Sequence, residues 1–572
     1  MKKKLLMMAA LVCILATELS AQMFSQAFSF GAGSDDKVTA VKIDANGNMY
    51  FTGYFDGTVD FDPSIVLQTV TSTGGTDGFL LKLNSAGAFQ WLATFDATGT
   101  NNVEALAMDL DPTNNIYITG YFGGTMDFNG AGSNTLTAAN ATDIFVAKFD
   151  NTGLVTWAKK AGSTGVDIGK SISIGANGNA YITGQFSGTV DFDPDAGATD
   201  TVYLTSNGGT DVFVWKLTPG GNISWAIGYG GTGGDDGSVV RVENGNVYTA
   251  GTFDGTADFN PDNVAVWPLT STGTSSDVFI QKLDAQGNFI YARQVGNAST
   301  EKCYSIEVDQ ENNLYMAGSF QATIDFDPNN GTANFTSAGS YDGYILQLDS
   351  VANFKWARIV GGTGSDEINH IALGEFNNIY AVGDYAGTMD INTDAGATQT
   401  VNAAGGYDIF CIKLEQAGNY ISGFAIGSGS SDNGNHIIVD ALGFAYLSGS
   451  YGSTMEVSPW QPAAGSLLTS NGGQDGFVAK YQTYYVGIND DLTVPQFIMY
   501  PNPAKQMFYL LPPPDFGTCT ISVYNPMGQL ALPVLQTNGN EKIQIKQYLP
   551  DGIYTVKLSG KKVLSRKLAI GF

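Results

Sequence analysis

A motif of fourteen residues recurs seven times along this chain, and that repetition restricts the possible fold more than any other feature. Each copy begins with a tyrosine and has a small residue three positions later, as in YFTGYFDGTVDFDP from Tyr50, where it is Gly53. Successive copies lie 67, 64, 67, 67, 65 and 66 residues apart. Such regular spacing indicates one structural unit repeated seven times. The copies begin at Tyr50, Tyr117, Tyr181, Tyr248, Tyr315, Tyr380 and Tyr446.

Each unit contains four strand-like segments, and no segment shows the periodicity of an amphipathic helix. In the first unit they are an alternating run at Val38–Ile43, the tyrosine run, a segment from Asp77 and a segment from Phe89. Turn signals such as Asn-Gly-Asn separate them. Four antiparallel strands in each of seven units predict an all-β protein, a seven-bladed β-propeller. A stacked β-helix is the rival fold, but a 66-residue period is too long for one of its coils.

The N-terminus contains the strand that the seventh unit lacks. That unit ends after its third segment, at Asp475–Tyr481, whereas Phe24–Asp35 matches the fourth segment and following turn at Phe354–Asp366. We therefore expect the N-terminal strand to complete the last sheet and close the ring. Closure would remove exposed sheet edges, which otherwise promote aggregation.

The repeat also resembles a known family. Asp211–Leu217 with Trp225, and Asp143–Phe149 with Trp157, closely follow the pattern of the bacterial seven-bladed propeller repeat called the SBBP repeat. The resemblance extends from about Phe24 to Tyr481. It implies a propeller without implying one activity, because folds of this kind host many functions.

The two ends of the chain predict where the protein goes. Met1–Ala21 has the pattern of a secretory signal peptide, with Lys2–Lys4 followed by the short apolar run Leu5–Ala16. No later segment approaches the roughly 20 apolar residues of a membrane helix, so no transmembrane segment is expected. Residues 488–572 hold eight basic and five acidic residues, whereas the whole chain has a net charge of −27. This change in composition indicates a separate C-terminal domain.

The C-terminal motifs are specific. Tyr500–Pro503, Val523–Asn525 and Leu549–Tyr554 closely resemble the C-terminal sorting domain of the type IX secretion system. The resemblance implies a small Ig-like β-sandwich, export by that secretion machinery, and usual removal of the domain when the cargo is released or lipid-anchored. The predicted organisation is a signal peptide at 1–21, a propeller at 22–486, a linker at 487–497 and a sorting domain at 498–572.

Composition excludes several classes of function. An excess of 54 acidic over 27 basic residues argues against nucleic-acid binding, because the phosphates would be repelled. Only three cysteines follow the signal peptide, so a disulfide framework is not indicated. We predict that Cys303, Cys411 and Cys519 are small buried apolar residues.

Residues that recur in the units are interpreted as structural. The glycine of the tyrosine run is explained by close strand packing. The aspartate that begins the third segment, with a lysine five residues later in six units, is explained by turn capping and by charge pairing within the sheet. The Asp-Phe-Asp motif offers two oxygen ligands on one face of a strand, which could bind calcium, although calcium needs six to eight oxygens and turn capping is preferred. The candidate calcium ligands are Asp60, Asp62, Asp191, Asp193, Asp325 and Asp327.

The two histidines are the most distinctive candidates for a site. His370 and His436 both lie ten residues before their unit's tyrosine, where other units have Ala40, Ala107, Ser171 or Ser305. The equivalent residue of the fourth unit is ambiguous. If these strands lie near the axis, both rings border one pocket at the channel mouth, and a metal or an anionic sugar could bind there. The alternative is a pair of hydrogen-bonded spacer residues.

No catalytic motif is visible, so no catalytic residue and no cofactor other than calcium is predicted. The sequence contains no nucleophile elbow, no HExxH motif, no phosphate-binding loop and no sialidase-type Asp box. The sequence favours a secreted or cell-surface binding or adhesion protein for an extracellular glycan or protein, through loops that vary between units. The alternatives are a carbohydrate-active enzyme with carboxylates in a central pocket and a passive surface-layer component. The variable loops are Pro63–Asp77, Gly130–Asp143, Pro194–Asp211 and Pro261–Asp277.

Overall fold

The structure is a computed structural model, and its described residues form two compact units. The first comprises residues 23–482 except 129–133, 194–200, 263–264, 395, 441–442, 460–462 and 464. The second comprises residues 497–570 except 501–506, 514–515, 526–529, 533, 539–541, 547–548, 550–551 and 561–562. The predicted signal peptide and almost all of the predicted linker lie outside the described residues.

The regular structure of the first unit is β-strand, apart from one 3-10 turn at Glu375–Asn377. The N-terminal strand and the strands of repeats one to three are β1 (Met23–Phe30), β2 (Lys37–Ile43), β3 (Met49–Phe55), β4 (Thr58–Asp60), β5 (Thr69–Thr71), β6 (Asp77–Leu83), β7 (Phe89–Ala97), β8 (Val103–Leu110), β9 (Ile116–Asp127), β10 (Thr135–Phe149), β11 (Val155–Ala161), β12 (Ile168–Ile174), β13 (Ala180–Phe186), β14 (Thr189–Asp191), β15 (Tyr203–Thr205), β16 (Asp211–Leu217) and β17 (Ile223–Gly231). The strands of repeats four to seven are β18 (Asp236–Glu243), β19 (Asn246–Phe253), β20 (Thr256–Asp258), β21 (Pro268–Thr270), β22 (Asp277–Asp284), β23 (Phe289–Val295), β24 (Lys302–Val308), β25 (Leu314–Phe320), β26 (Thr323–Asp325), β27 (Asn334–Thr336), β28 (Asp342–Leu348), β29 (Phe354–Gly362), β30 (Asp366–Leu373), β31 (Ile379–Asp390), β32 (Thr400–Leu414), β33 (Tyr420–Ile426), β34 (Asn433–Val439), β35 (Phe444–Tyr451), β36 (Thr454–Glu456), β37 (Leu467–Thr469) and β38 (Asp475–Gln482).

Every repeat contributes antiparallel strands that pair in chain order. In the first repeat β2 pairs with β3, β3 with β6, and β6 with β7. The short pair β4–β5 forms a separate hairpin. In the seventh repeat the order is β34–β35–β38, and the outer strand is β1, which runs antiparallel to β38 from Met23 opposite Gln482 to Phe30 opposite Gly476. The N-terminal strand thus supplies the fourth strand that the seventh repeat lacks, as its sequence predicts.

The recurring glycine sits where two strands approach most closely. Gly53 in β3 faces Val38 in β2, next to a register shift in β2. A Cβ atom at Gly53 would overlap the carbonyl oxygen of Lys37, and the equivalent glycine of every other repeat faces the same obstacle. Close packing of the backbones therefore accounts for this glycine, as predicted.

The recurring aspartate of the third strand caps a turn. Asp211, for example, is 2% exposed, and its Oδ2 accepts a hydrogen bond from the Asn207 backbone N–H at 3.1 Å. Charge pairing within the sheet occurs in the second repeat, where Asp143 pairs with Lys160 at 2.6 Å and Lys148 lies 3.7 Å from Asp111. Asp211 and Lys216 of the third repeat do not pair with each other, because Lys216 lies over the Tyr181 ring and donates to the Ala285 carbonyl in the next repeat. Asp211 and Lys216 are five positions apart on one strand, so they are separated by about 17 Å and their side chains project from opposite faces.

The second unit has two antiparallel sheets around one apolar core. One sheet has the order β39–β40–β43 and the other β42–β41–β44–β45. Phe508, Leu510, Ile521, Val556 and Leu568 are buried between them, which agrees with the predicted small β-sandwich. The strands are β39 (Ile498–Tyr500), β40 (Met507–Leu511), β41 (Cys519–Tyr524), β42 (Leu535–Thr537), β43 (Ile543–Lys546), β44 (Gly552–Ser559) and β45 (Val563–Ile570).

Two smaller predictions concern the cysteines and membrane helices. Cys303, Cys411 and Cys519 are free and buried, as predicted. Among the described residues, no helix has the length and apolar character needed to cross a bilayer.

Candidate ligand-binding cavity

The first strand of every repeat contributes to one polar cavity of about 570 Å³. These strands are β2, β8, β12, β18, β24, β30 and β34. Side chains at alternate positions of a strand project from the same face, so each first strand presents about two residues to the cavity. The residue opposite each repeat's tyrosine and the residue two positions earlier, where the histidines occur, supply most of its chemistry.

The structure brings the two histidines together on the wall of this cavity. His370 in β30 lies opposite Val382, and His436 in β34 lies opposite Ser448, so the two residues have equivalent registers. Their rings stack with centroids 3.7 Å apart and planes inclined by 30°. The register also resolves the fourth repeat, where the equivalent residue is Val239.

Both imidazoles are uncharged. They border the cavity, but protein atoms surround the rest of each ring. Burial, followed by the positive charges of Lys42 and Arg241, lowers the pKa of His370 to about 3, although a hydrogen bond with the Ile437 backbone opposes the shift. Burial and the neighbouring His370 lower the pKa of His436 well below its ordinary value. Neither ring carries a positive charge near neutral pH.

This geometry disfavours both ligands considered for the histidines from sequence. An imidazole binds a metal in its ring plane at about 2.0–2.1 Å, whereas two stacked rings direct their lone pairs side by side. A metal shared by both rings would therefore lie far outside each plane. An anionic sugar would find no positive charge on these rings, because burial lowers the pKa of both. No group of three or more metal-binding side chains occurs in the described part of the chain.

Ion pairs that the sequence analysis missed line the rest of the cavity wall. Lys42 Nζ lies 3.1 Å from Asp109 Oδ1, and Arg241 Nη2 lies 3.1 Å from Glu307 Oε2. Each pair joins the first strands of neighbouring repeats. All four residues lie opposite their repeat's tyrosine, the position that holds Ser173, Ala372 and Ile438 in the other three repeats. Comparing the units at this position would have revealed alternating charges.

A third ion pair lies beside these two. Lys170 Nζ is 2.7 Å from Asp236 Oδ2, again between first strands of consecutive repeats. Where serine replaces a charge, its hydroxyl accepts a backbone N–H of the next first strand, as Ser173 does from Val242 at 3.1 Å. Ser305, at the position of the histidines, accepts the Ile371 N–H at 3.1 Å in the same way. Polar side chains therefore join most neighbouring first strands.

The acids of the Asp-Phe-Asp motif cap hairpin loops. Asp60 Oδ1 accepts hydrogen bonds from the backbone N–H of Asp62 at 3.1 Å and of Gln68 at 2.8 Å. The same oxygen of Asp325 accepts from Asp327 and Ala333. Asp191 makes the corresponding bonds to Asp193 and Val202. This is the capping arrangement preferred from sequence, and calcium binding by the six acids stays a prediction.

Some variable loops expose apolar side chains. Ile65 is 99% exposed, and Val66 and Leu67 beside it are also exposed. Val266 and Trp267 occupy the equivalent loop of the fourth repeat and are exposed as well. Because exposed aliphatic residues contribute nothing to the core, these loops are available for contact with other molecules.

Comparisons with known proteins identify one end of the chain and characterise the remainder more coarsely. Residues 498–571 match the family described as the secretion system C-terminal sorting domain. This confirms the sorting domain predicted from sequence, and such a domain implies export to the cell surface or secretion. The chain is 21% identical over 526 residues, 78% of its length, to an uncharacterized WD repeat-containing protein of Acanthamoeba polyphaga mimivirus. It is also 26% identical over 186 residues, 32% of its length, to the regulatory protein FlaEY of Caulobacter vibrioides. The chain spans only 37% and 18% of the lengths of these two relatives.

Proposed function

We propose that this chain is a secreted or cell-surface binding protein without enzymatic activity, exported by the type IX secretion machinery. Its repeats would close into a seven-bladed propeller of the SBBP type, and a ligand would occupy the cavity described above. The observation that carries the proposal is the lining of one cavity by the first strands of all seven repeats. The position opposite the tyrosine holds bases, acids, a serine and apolar residues in different repeats, and this variation supports a role in recognising a ligand.

Contacts between the first and last repeats support ring closure. Asn435 Nδ2 in β34 donates to the Val38 carbonyl in β2 at 3.2 Å. Tyr446 and Val478 of the seventh repeat belong to the same buried cluster as residues of β2 and β3. The pairing of β1 with β38 and the likeness to a WD repeat-containing protein agree with this arrangement. An experimental density map with six or eight sheets, or with β1 detached, would refute it.

The cavity carboxylates favour binding over hydrolysis. A glycosidase needs two carboxyl groups free to act on opposite sides of the scissile bond. Glu307 is paired with Arg241, and Asp309 Oδ1 accepts the backbone N–H groups of Glu311 and Asn313. Of the acids that line the cavity, Glu243 alone has neither an ion pair nor a capping hydrogen bond among the described residues. The carbohydrate-active enzyme remains the second candidate, with these same carboxylates as its catalytic groups.

A screen of the full-length protein against soluble glycans, with binding and turnover measured together, separates the candidates. Saturable binding without turnover supports the proposal, turnover supports the enzyme, and the absence of both supports a passive surface component. Ser238 borders the cavity, and Ser238→Trp would fill part of it. Ser85→Trp, in an exposed turn, is the matched control. Loss of binding only in Ser238→Trp would assign the ligand to the cavity, whereas equal binding by both variants would assign it to the loops.

A further inference from the structure

We propose that the cavity accepts a neutral, hydroxyl-rich ligand, such as a short stretch of an uncharged polysaccharide. This inference rests on the proposed binding function and specifies the chemistry of its ligand. It follows from the distribution of charge and of hydrogen-bonding groups on the cavity wall.

The basic residues of the wall already have acidic partners. Lys42, Lys170 and Arg241 are the bases that line the cavity, and they contact Asp109, Asp236 and Glu307 at 2.7–3.1 Å. A carboxylate or sulfate ligand would have to compete with these partners for the cation. The displaced acid would then remain partly buried and unpaired, which costs several kcal/mol for a buried pair.

The histidines supply no charge either. Their rings are stacked at 3.7 Å, so protonation of both would place two positive charges in contact. Lys42 and Arg241 already disfavour a positive charge on His370. Lys42 and Arg241 repel a cationic ligand beside the rings in the same way, whereas Glu243, which has no ion pair among the described residues, is the group of the wall that would attract one. On this side of the cavity the wall is therefore polar without being charged.

The ion pairs retain hydrogen-bonding capacity that suits hydroxyl groups. A lysine has three donors and an arginine five, and one ion pair does not use them all. Arg241 contacts Glu307 through Nη2, and the acids have additional lone pairs. A hydroxyl group both donates and accepts, so it can bond to either member of an ion pair without disturbing its charge balance. Hydrogen bonds to charged groups are also stronger than those between neutral groups.

The size of the cavity agrees with such a ligand. Its volume of about 570 Å³ lies within the range of about 300–1,000 Å³ that is usual for small-molecule sites. A few sugar rings fit in this space, whereas a folded protein domain does not. A polysaccharide end or a short oligosaccharide is therefore the appropriate occupant.

Calorimetric titration of the full-length protein with oligosaccharides of three charge classes tests this inference. The probes are neutral cello-, laminari- and malto-oligosaccharides, anionic oligogalacturonate and cationic chitosan oligomers. We expect saturable binding of at least one neutral probe, with little dependence on salt, and binding about tenfold weaker or more for the charged probes. Preferential binding of a charged probe would overturn this inference while leaving the binding function intact. Failure of all three classes would count against both.

A matched pair of variants locates the effect. Arg241→Gln removes a cavity ion pair, and we expect the affinity for the neutral probe to fall about tenfold or more. Lys302→Gln removes an equivalent 3.1 Å pair with Glu367, also between neighbouring first strands, but neither residue lines the cavity. Melting curves establish whether both variants fold. If Arg241→Gln does not fold, loss of neutral-probe binding in Ser238→Trp tests the same inference. Unchanged affinity in a folded Arg241→Gln protein would contradict the inference.

Discussion

Replacing one buried aspartate, Asp211, should change how the stability of the propeller depends on pH. Asp211 begins β16, and its Oδ1 is buried without a hydrogen-bond partner among the described residues. Asp235, 1% exposed, approaches it from the next repeat, and its two oxygens accept N–H groups of Gly231 and Asp254. Asp211 Oδ1 and Asp235 Oδ2 both lie 2.7 Å from the place where a Cβ atom of residue 230 would be. Two carboxyl groups so placed cannot both ionise without cost.

The sign and size of the effect follow from the pKa. Burial, opposed by the hydrogen bond from Asn207 and reinforced by the charge of Asp235, raises the pKa of Asp211 to about 7 from an ordinary value near 3.8. A raised pKa of an acid means that its contribution to stability is fully present below about pH 4 and is lost as the pH rises through 7. The difference between the raised and the ordinary pKa corresponds to at most about 4 kcal/mol of unfolding free energy. We expect about 2 kcal/mol, because structural relaxation and water screen part of the effect.

Asp211→Asn should therefore leave stability at pH 4.5 nearly unchanged and raise the free energy of unfolding at pH 8 by about 2 kcal/mol. Asparagine keeps an acceptor for the Asn207 N–H, and its amide can donate to Asp235. The chain already contains asparagine at one such junction, since Asn102 faces Asp77 where other repeats have two acids. Calorimetric melting of both full-length proteins at the two pH values measures the change. The melting temperature of Asp211→Asn should be about 2 °C higher than that of the unchanged protein at pH 8.

Asp284→Asn is a control with the opposite sign. Burial slightly raises the pKa of Asp284, but hydrogen bonds from Asn288 and the neighbouring backbone outweigh it and lower the pKa. Its contribution to stability is present above the ordinary pKa and is lost as the pH falls through the lowered value. Asp284→Asn should therefore destabilise the protein at pH 8. Equal effects of Asp211→Asn at both pH values, or the same sign in both variants, would refute the reasoning.

Three further predictions concern backbone packing, the histidines and calcium. In a denaturation assay, Gly251→Ala should lower the free energy of unfolding by about 2–4 kcal/mol, because the new Cβ atom would overlap the backbone of β18. Gly429 has free space around it, so Gly429→Ala should have little effect in the same assay. His370→Ser should change thermal stability by less than about 1 kcal/mol, because the hydroxyl can accept a neighbouring N–H as Ser305 does, and a larger loss would show that the stacked rings contribute to the fold. If calcium binds the Asp-Phe-Asp acids, it should raise the melting temperature and a chelator should lower it, and a constant melting temperature would leave Asp60 and its equivalents as loop caps.

The order of strands within the sheets could be predicted because it depends on local signals. The tyrosine run, the turn residues and the aspartate that opens the third strand each recur at a fixed distance, and pairing in chain order needs no long-range information. The partner of β1 was also predictable, since Phe24–Asp35 matches the missing segment of the seventh repeat. The short hairpins such as β4–β5 were not predicted because, although β4 lies within the recurring motif, its partner β5 lies in a loop whose length differs between repeats.

The candidate site was predictable only where residue types were rare. His370 and His436 are the only histidines of the chain, so their equivalent positions were evident. Their uncharged state was not, because it depends on burial and on Lys42 and Arg241 in other repeats. The ion pairs were missed for a related reason. An acidic chain offers many charged residues, and only the register shows which of them meet.

The pairing of charges follows from how first strands meet across the repeats. Consecutive first strands are neighbours, so a lysine opposite the tyrosine of one repeat is compatible with an aspartate in the next, as Lys42 and Asp109 illustrate. The sixth and seventh repeats have Ala372 and Ile438 at this position, and the neutral histidines are in the same two repeats. One part of the cavity wall is therefore apolar or neutral, and the remainder carries the ion pairs together with the acids Glu243 and Asp309. A pyranose ring has an apolar C–H face and polar hydroxyl edges, so we expect the face of a bound sugar to pack towards Ile438 and its hydroxyl groups to contact Arg241 and Glu307.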